Sequence, residues 1–96
     1  MLKISLSKQA EKFLLKIPKK HAIQITEKID KLAEDPKAVP SVQLEGYPKL
    51  MRAKSGEYRF IFRIENNELL LLVLRVGKRN DGEVYKGLDS LDQGDD

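Results

Sequence analysis

The 96-residue chain has no cysteine and no tryptophan, and it has one histidine, His21. The absence of cysteine excludes disulfides and thiolate chemistry, and it fits a reducing compartment. His21 falls near the start of a predicted helix, off its apolar stripe, which favours a solvated residue over a catalytic base. The longest apolar run, residues 69–74, is far shorter than the ~20 residues that a membrane helix needs.

Signals for bound groups and for targeting are also missing. The acidic residues are dispersed without metal-ligand spacing, and Gly77 and Gly82 do not match a phosphate-binding loop. The start of the chain lacks the apolar run and cleavage site of a signal peptide. We therefore expect a cytoplasmic protein that uses no metal or other cofactor and does not bind membranes.

Charge is spread unevenly over the chain. Residues 89–96 hold four acids and no base, which leaves residues 1–88 with 18 bases against 11 acids, a net charge of +7. We predict one domain over 1–88 and an acidic, disordered tail over 89–96. A basic domain suits a polyanionic partner, although a lysine-rich surface also serves solubility alone.

The first third of the sequence predicts a strand followed by a helical hairpin. Residues 2–6 alternate apolar and polar side chains, as in a half-buried strand. Ser7 is a suitable N-cap, and apolar residues from Ala10 to Ile17 follow helical spacing. A second helix is predicted over Lys19–Glu34, ending before a proline. Each helix has one apolar face, so both need a surface to lie on.

The remainder predicts a small antiparallel sheet. Residues 37–48 are expected to form a loop anchored by Leu44, and strands are expected over 49–54, 58–64 and 69–76. Asn66-Asn67 tolerates positive φ and suits a tight hairpin between the last two. The third strand is apolar on both faces, so we expect it to be central or covered by something. The fold class is α+β, with an N-terminal strand and a helical hairpin packed on the sheet.

A cluster of cations and one tyrosine is the strongest candidate for a functional site. Strand alternation places Arg52, Lys54 and Arg59 on the face opposite the aromatic side chains. Arg79 and Tyr85 follow the third strand and are able to fold back onto that face. Arginine matches phosphate oxygens and stabilises developing negative charge, and tyrosine stacks on bases. The alternative is a solvated face that resists aggregation.

Two residues near this cluster lead to separate expectations. Arg63 shares the face of Arg59 but lies towards the far turn, so we expect it at the solvated surface. Ile61 and the apolar third strand suggest surface that a partner protein covers.

These residues resemble the RelE-type toxins of the RelE/ParE superfamily, over nearly the whole chain except the acidic tail. The resemblance is carried by residues 49–54 leading into Ser55-Gly56-Glu57-Tyr58-Arg59-Phe60, by Val76-Gly77-Lys78-Arg79, and by Glu83-Val84-Tyr85. The order of strand, helical hairpin and antiparallel sheet agrees with that family, whose fold is similar to microbial RNases.

The resemblance implies the toxin of a type II toxin–antitoxin system. Such toxins are ribosome-dependent messenger-RNA endoribonucleases that cut in the A site of the small subunit. The ribose 2′-hydroxyl attacks the adjacent phosphate without a metal, and translation stops. The resemblance also implies a cognate RelB-like antitoxin that wraps the toxin, and contact with operator DNA only through that antitoxin.

The resemblance also assigns roles to individual residues. Arg59 and Arg79 match the phosphate-stabilising arginines, with Arg79 assisting the leaving oxygen. Tyr85 matches the tyrosine that stacks on or orients the substrate base. Arg52 falls where the family often has a lysine, so electrostatic stabilisation survives the exchange. Lys49 and Lys78 flank these motifs and are expected to bind RNA.

One position departs from the family pattern. Leu50 falls where many RelE proteins carry a lysine that is the candidate general base. Either Lys54 or Tyr85 takes that role, or a bulge brings Lys49 round, or activity is reduced. Strand parity predicts that Lys49 points away from the site.

Two other functions fit the same sequence. A ParE-like relative on this fold would bind DNA gyrase and cut no RNA, because fold does not fix function. A binding module without activity would act only in a toxin–antitoxin repressor complex, and Leu50 favours that alternative.

Overall fold

The computed structural model describes residues 1–80, 82–88 and 91. The predicted fold class is confirmed: two helices pack on one face of a five-stranded sheet. The strands and helices in chain order are β1 (Lys3–Leu6), α1 (Lys8–Lys16), α2 (Lys19–Glu34), β2 (Ser41–Leu44), β3 (Tyr47–Ser55), β4 (Tyr58–Glu65) and β5 (Leu70–Lys78). Short 3₁₀ turns cover Asn66–Glu68 and Gly82–Tyr85.

The helical hairpin follows the sequence signals closely. The Ser7 hydroxyl accepts from the Ala10 amide at 3.1 Å, so it caps α1 as predicted. The second helix has the predicted bounds, with Pro18 at its N-cap. It ends because Asp35 precedes a proline and leaves the helical region. Neither helix in the described part of the chain is long and apolar enough to cross a bilayer.

The sheet has the order β1-β5-β4-β3-β2. Strand β1 runs parallel to β5, and the other neighbours are antiparallel. Strand β5 therefore lies between two strands, and side chains from both of its faces are buried. This confirms that its two-sided apolar pattern marks a central, covered strand.

The predicted loop over 37–48 is partly wrong, because it contains β2 and the start of β3. Ser41 pairs with Ala53 at the edge of the sheet. This strand has only one neighbour, and Val42 is half exposed, so its sequence lacks the alternation that marks a buried strand. Leu44 is buried, which confirms its role as the anchor.

The turn between β4 and β5 also differs from the predicted hairpin. A 3₁₀ turn covers Asn66–Glu68, and Leu69 takes the positive φ of 52° in place of either asparagine. The longer turn allows the Lys3 amide to donate to the Leu69 carbonyl at 2.8 Å, which joins the turn to β1.

Both faces of the sheet carry an apolar cluster. The face under the helices holds the main core, with Phe60 and Phe62 at its centre. The opposite face holds a second cluster of seven buried residues: Leu44, Leu50, Ile61, Leu74, Val84, Leu88 and Leu91. We call this set the second cluster. Its last three members come from the segment after β5, so the chain itself covers Ile61, and the prediction that a partner covers it is wrong.

Arg63 is buried, with 5% of its surface exposed, which corrects the prediction of a solvated residue. Its Nη1 donates to the Leu91 carbonyl, and its Nε lies 2.7 Å from Glu65 Oε1. Burial of a guanidinium requires such partners. Leu91 falls within the predicted acidic tail; the other residues of that tail lie outside the described residues.

Candidate functional site

The register of β3 and β4 brings the predicted cations onto one face. Lys54 lies opposite Arg59, and Arg52 lies opposite Ile61, one row further along. This face also carries Ile61 and the rest of the second cluster, so it is half cationic and half apolar.

Tyr85 reaches this face through the segment that follows β5. The 3₁₀ turn at Gly82–Tyr85 packs over the sheet, with Val84 buried directly against Gly77. The neighbouring Tyr85 is then held above β3 and β4 at the border between the apolar and cationic halves.

Two guanidinium groups converge on the hydroxyl of Tyr85. Nη1 of Arg59 donates to Tyr85 Oη at 3.1 Å, and Nη1 of Arg52 donates to the same oxygen at 3.2 Å. All three side chains are half-buried. Within the described residues, neither arginine has a carboxylate partner, and the buried Nε–H of each has no acceptor. Two adjacent positive charges without a counter-ion define a site for an anion.

The ionisation of Tyr85 responds to these neighbours. Burial raises the pKa of its phenol. The hydrogen bonds from Arg59 and Arg52 and their positive charges lower that pKa by more than burial raises it, so it lies below the usual 10.0. The site therefore favours the phenolate more than water does. A phenolate held by two arginines is able to accept a proton.

The other predicted cations lie around this trio. Lys54 is exposed beside Arg59. Arg79 is also exposed; its backbone amide donates to the Glu57 carbonyl at 2.8 Å, next to the turn between β3 and β4. The end of the site beside this turn is thus cationic, but the hydrogen bonds to the Tyr85 hydroxyl come from Arg52 and Arg59.

The two lysines expected to bind RNA are exposed but occupy other positions. Lys78 is the last residue of β5 and pairs with Tyr58, which places it on the helix side of the sheet, away from Arg59. Lys49 lines a separate depression together with Arg63. The pairing of β3 with β2 shifts between Gln43, which lies opposite Met51, and Leu44, which lies opposite Tyr47, so β3 does contain an irregularity next to Lys49.

Leu50 is fully buried, and this explains the departure from the family pattern. It lies in the second cluster beneath the segment that carries Val84 and Leu88. A lysine there would bury an ammonium group in an apolar contact, which is costly without a partner. The position belongs to the core in this chain.

Two contacts had no signal in the sequence. His21, expected to be solvated, is half-buried, and its Nδ1 lies 2.9 Å from the hydroxyl of Tyr58. Lys28 of α2 donates from Nζ to the Lys54 carbonyl at 3.0 Å, so it reaches the strand that carries the site. Both contacts join residues far apart in sequence, and neither residue type is specific enough to predict them. Among the described residues, no three side chains are grouped as ligands for a metal.

Solved structures share this architecture. The RelE–RelB complex from Pyrococcus horikoshii OT3 matches with a TM-score of 0.71 and 27% identity, over 82% of this chain and 96% of that one. The isolated E. coli RelE toxin matches with a TM-score of 0.71 and 22% identity, over 97% and 98%. The toxin–antitoxin complex RelBE2 from Mycobacterium tuberculosis matches with a TM-score of 0.70 and 23% identity, over 81% and 98%. The fold is that of the RelE toxins.

Residues 4–82 match the family model of the ParE toxin of type II toxin–antitoxin systems, parDE. The match spans most of the chain, so the protein belongs to this toxin family within the RelE/ParE superfamily. No curated protein matches the sequence.

Proposed function

We propose that this toxin is a ribosome-dependent messenger-RNA endoribonuclease that acts in the A site. The observation that carries the proposal is the convergence of Arg52 and Arg59 on the hydroxyl of Tyr85. Within the described residues, no carboxylate pairs with either arginine. This arrangement provides positive charge for a phosphate and a phenol of lowered pKa beside it. Those are the two requirements of RNA cleavage by an internal nucleophile.

In the proposed reaction the Tyr85 phenolate takes the proton of a ribose 2′-hydroxyl. The 2′-oxygen then attacks the adjacent phosphorus, and the bond from phosphorus to the 5′-oxygen of the next nucleotide breaks. The products are a 2′,3′-cyclic phosphate and a free 5′-hydroxyl. Arg52 and Arg59 stabilise the charge of the pentacoordinate transition state, and the exposed Lys54 gives its proton to the leaving oxygen.

Arg79 has a different role in this proposal. Its exposed side chain at the end of β5 contacts the RNA backbone, and the bound RNA draws it towards the leaving group. Leu50 removes the family's lysine from the site, which is why the proton transfer is assigned to Tyr85.

The proposed partners are the ribosome, its bound message and a RelB-like antitoxin. Structural neighbours were solved as complexes with their antitoxins, which supports a protein partner of that class. The net charge of +7 over residues 1–88 supports binding to ribosomal and messenger RNA in the cytoplasm.

The test uses ribosomes stalled on a defined message, with primer extension to map the new ends. We expect cuts in the A-site codon when ribosomes are present and none in free RNA. Arg59→Ala should lower the single-turnover rate about 10²–10³-fold, the effect of losing one oxyanion donor. Lys31→Ala, an exposed change on α2, is the matched control. Equal cutting by wild type and Arg59→Ala, or no cutting by either, contradicts the proposal.

A second candidate is inhibition of DNA gyrase, which the match to the ParE family model supports. In that case the basic face would contact the enzyme or its DNA, and the Arg52–Tyr85 contact would be structural. A supercoiling assay separates the two. Inhibition by wild type at concentrations that leave the message intact identifies the gyrase inhibitor.

A further inference from the structure

A second cationic pocket lies beside the Tyr85 site, at the edge of the sheet. It has a volume of about 360 Å³ and lies between α2, β2 and the end of β3. Lys28, Arg52 and Lys54 provide its cations, Ser41 provides a hydroxyl, and Pro40 and Val42 provide apolar surface. Its volume is within the range of about 300–1,000 Å³ that small-ligand sites occupy.

Lys28 is held in place at this pocket. It projects from α2, in the other layer of the fold, and its Nζ donates to the Lys54 carbonyl at 3.0 Å. The residue is half-buried. One bond to the carbonyl leaves two of the three ammonium donors for a ligand, and the fixed position lowers the entropy cost of using them.

The composition of the pocket suits a nucleotide. Three cations and no carboxylate line it, which suits a phosphate. Val42 is half exposed and lies opposite Arg52 on the same face of the sheet, so an apolar surface stands next to the charge. A ribose or base packs on such a surface while its phosphate meets the lysines.

The pocket adjoins the proposed catalytic site through Arg52 and Lys54. Arg52 belongs to both, since it lines the pocket and donates to Tyr85. Lys54 pairs with Arg59 in the sheet and also lines the pocket. Lys28 contacts Lys54, and Lys54 lies opposite Arg59, so the cations of the two sites follow one another across β3 and β4, as adjacent phosphates of one RNA strand require.

We propose that this pocket, with Lys28 as its phosphate ligand, binds the nucleotide next to the scissile bond. The inference rests on the proposed RNA cleavage. Lys28 is a binding residue here and takes no part in bond breaking, so its loss should affect affinity and leave the chemical step unchanged.

The test measures KM and kcat on programmed ribosomes for Lys28→Met, Lys28→Arg and the matched control Lys31→Met. Lys31 is exposed on the same helix and does not line the pocket. We expect Lys28→Met to raise KM about three- to tenfold at constant kcat, Lys28→Arg to stay near wild type, and Lys31→Met to change little.

The salt dependence of binding to a single-stranded RNA oligonucleotide gives a second readout that a merely structural role for Lys28 would not change. The logarithm of the binding constant falls linearly with the logarithm of the salt concentration. Loss of one phosphate contact should make this fall less steep by about 0.7 for Lys28→Met and leave it unchanged for Lys31→Met. Urea unfolding of each variant checks that the fold persists.

The outcomes distinguish this inference from the proposed function on which it rests. If Lys28→Met and Lys31→Met have equal KM and equal salt dependence while Arg59→Ala abolishes cutting, the nucleotide-binding role of the pocket is wrong and the endoribonuclease proposal stands. RNA binding with a slope that depends on Lys28, but no cutting by wild type, overturns the endoribonuclease and leaves an RNA-binding pocket. Failure of wild type to bind RNA and to cut overturns both.

Discussion

Gly77 of β5 lies directly beneath Val84, so that a Cβ added to the glycine would meet Val84 Cβ at 3.2 Å. Val84 is next to Tyr85, and this contact sets the height of the 3₁₀ turn above the sheet. We predict that Gly77→Ala lifts the turn by a few tenths of an ångström and loosens the hydrogen bonds of Tyr85. Overpacking of this kind costs about 1–3 kcal/mol.

Gly82→Ala is the matched control for that change, because nothing lies within 4 Å of a Cβ at Gly82. The unfolding free energy measured in urea and the A-site cleavage rate should both fall in Gly77→Ala and stay near wild type in Gly82→Ala. If Gly77→Ala keeps full stability and activity, the turn adapts freely and the contact does not position Tyr85.

The ionisation of Tyr85 predicts how activity depends on pH. Its pKa lies below 10.0 because hydrogen bonds and charge from Arg59 and Arg52 outweigh the effect of burial. The cleavage rate should rise with pH until it levels off below the usual tyrosine range. The difference in phenolate absorbance between wild type and Tyr85→Phe should titrate over the same interval. A midpoint at or above about 10 would show that the arginines do not stabilise the phenolate.

The same shift predicts a change in stability with pH. The unfolded chain holds the Tyr85 proton up to pH 10.0, whereas the folded chain loses it earlier, so the stability from this group grows between the folded pKa and 10.0. It is fully present above 10.0 and is lost as the pH falls through the folded pKa. The difference in unfolding free energy between wild type and Tyr85→Phe should follow that course. A difference independent of pH would contradict it.

Arg63 predicts a local effect on the covering segment. Its Nη1 donates to the Leu91 carbonyl, while Glu65 supplies the counter-charge at its Nε. Arg63→Met should release Leu91, whose amide donates to the Gly87 carbonyl at 3.4 Å, and speed hydrogen exchange at that amide. Glu65→Gln keeps the Arg63–Leu91 bond and should leave that exchange slow. Equal exchange in both variants would show that the apolar cluster alone holds the segment.

Much of the fold could be predicted because its signals are local. The cap at Ser7, the bounds of Lys19–Glu34 and the central position of β5 follow from capping, from proline and from apolar periodicity. Strand β2 was missed because an edge strand with one neighbour carries little periodicity. Leu69 has the positive φ because its carbonyl pairs with the Lys3 amide of β1, a contact that the sequence of the turn does not reveal.

The site was predictable in part for the same reason. Strand parity brought Arg52 and Arg59 together, and sequence spacing placed Tyr85 after β5. The burial of Arg63, by contrast, depends on Leu91, 28 residues later in the chain. The contact of Lys28 with Lys54 joins two layers of the fold. Such tertiary contacts leave no local pattern.

Leu69 predicts a simple gain in stability. It has φ 52° and ψ 47°, a left-handed conformation that costs a residue with a Cβ about 1–2 kcal/mol, and its side chain is mostly exposed. Asparagine tolerates this conformation better, so Leu69→Asn should raise the unfolding free energy by about 0.5–1 kcal/mol in urea. Glu68→Asn, at a neighbouring position with ordinary φ, is the control and should give no gain.

Leu50 tests whether the lysine of related toxins can be restored in this chain. The side chain is fully buried under Val84 and Leu88, so Leu50→Lys would place an unpaired ammonium in the second cluster. We expect it to destabilise the protein by several kcal/mol and to lower activity, since the covering segment also carries Tyr85. Leu50→Met keeps the volume and should cost less than about 1.5 kcal/mol. A Leu50→Lys protein that is as stable as Leu50→Met and cuts RNA faster than wild type would mean that the segment opens readily. The introduced side chain would then be the general base, and the assignment of proton transfer to Tyr85 would be wrong.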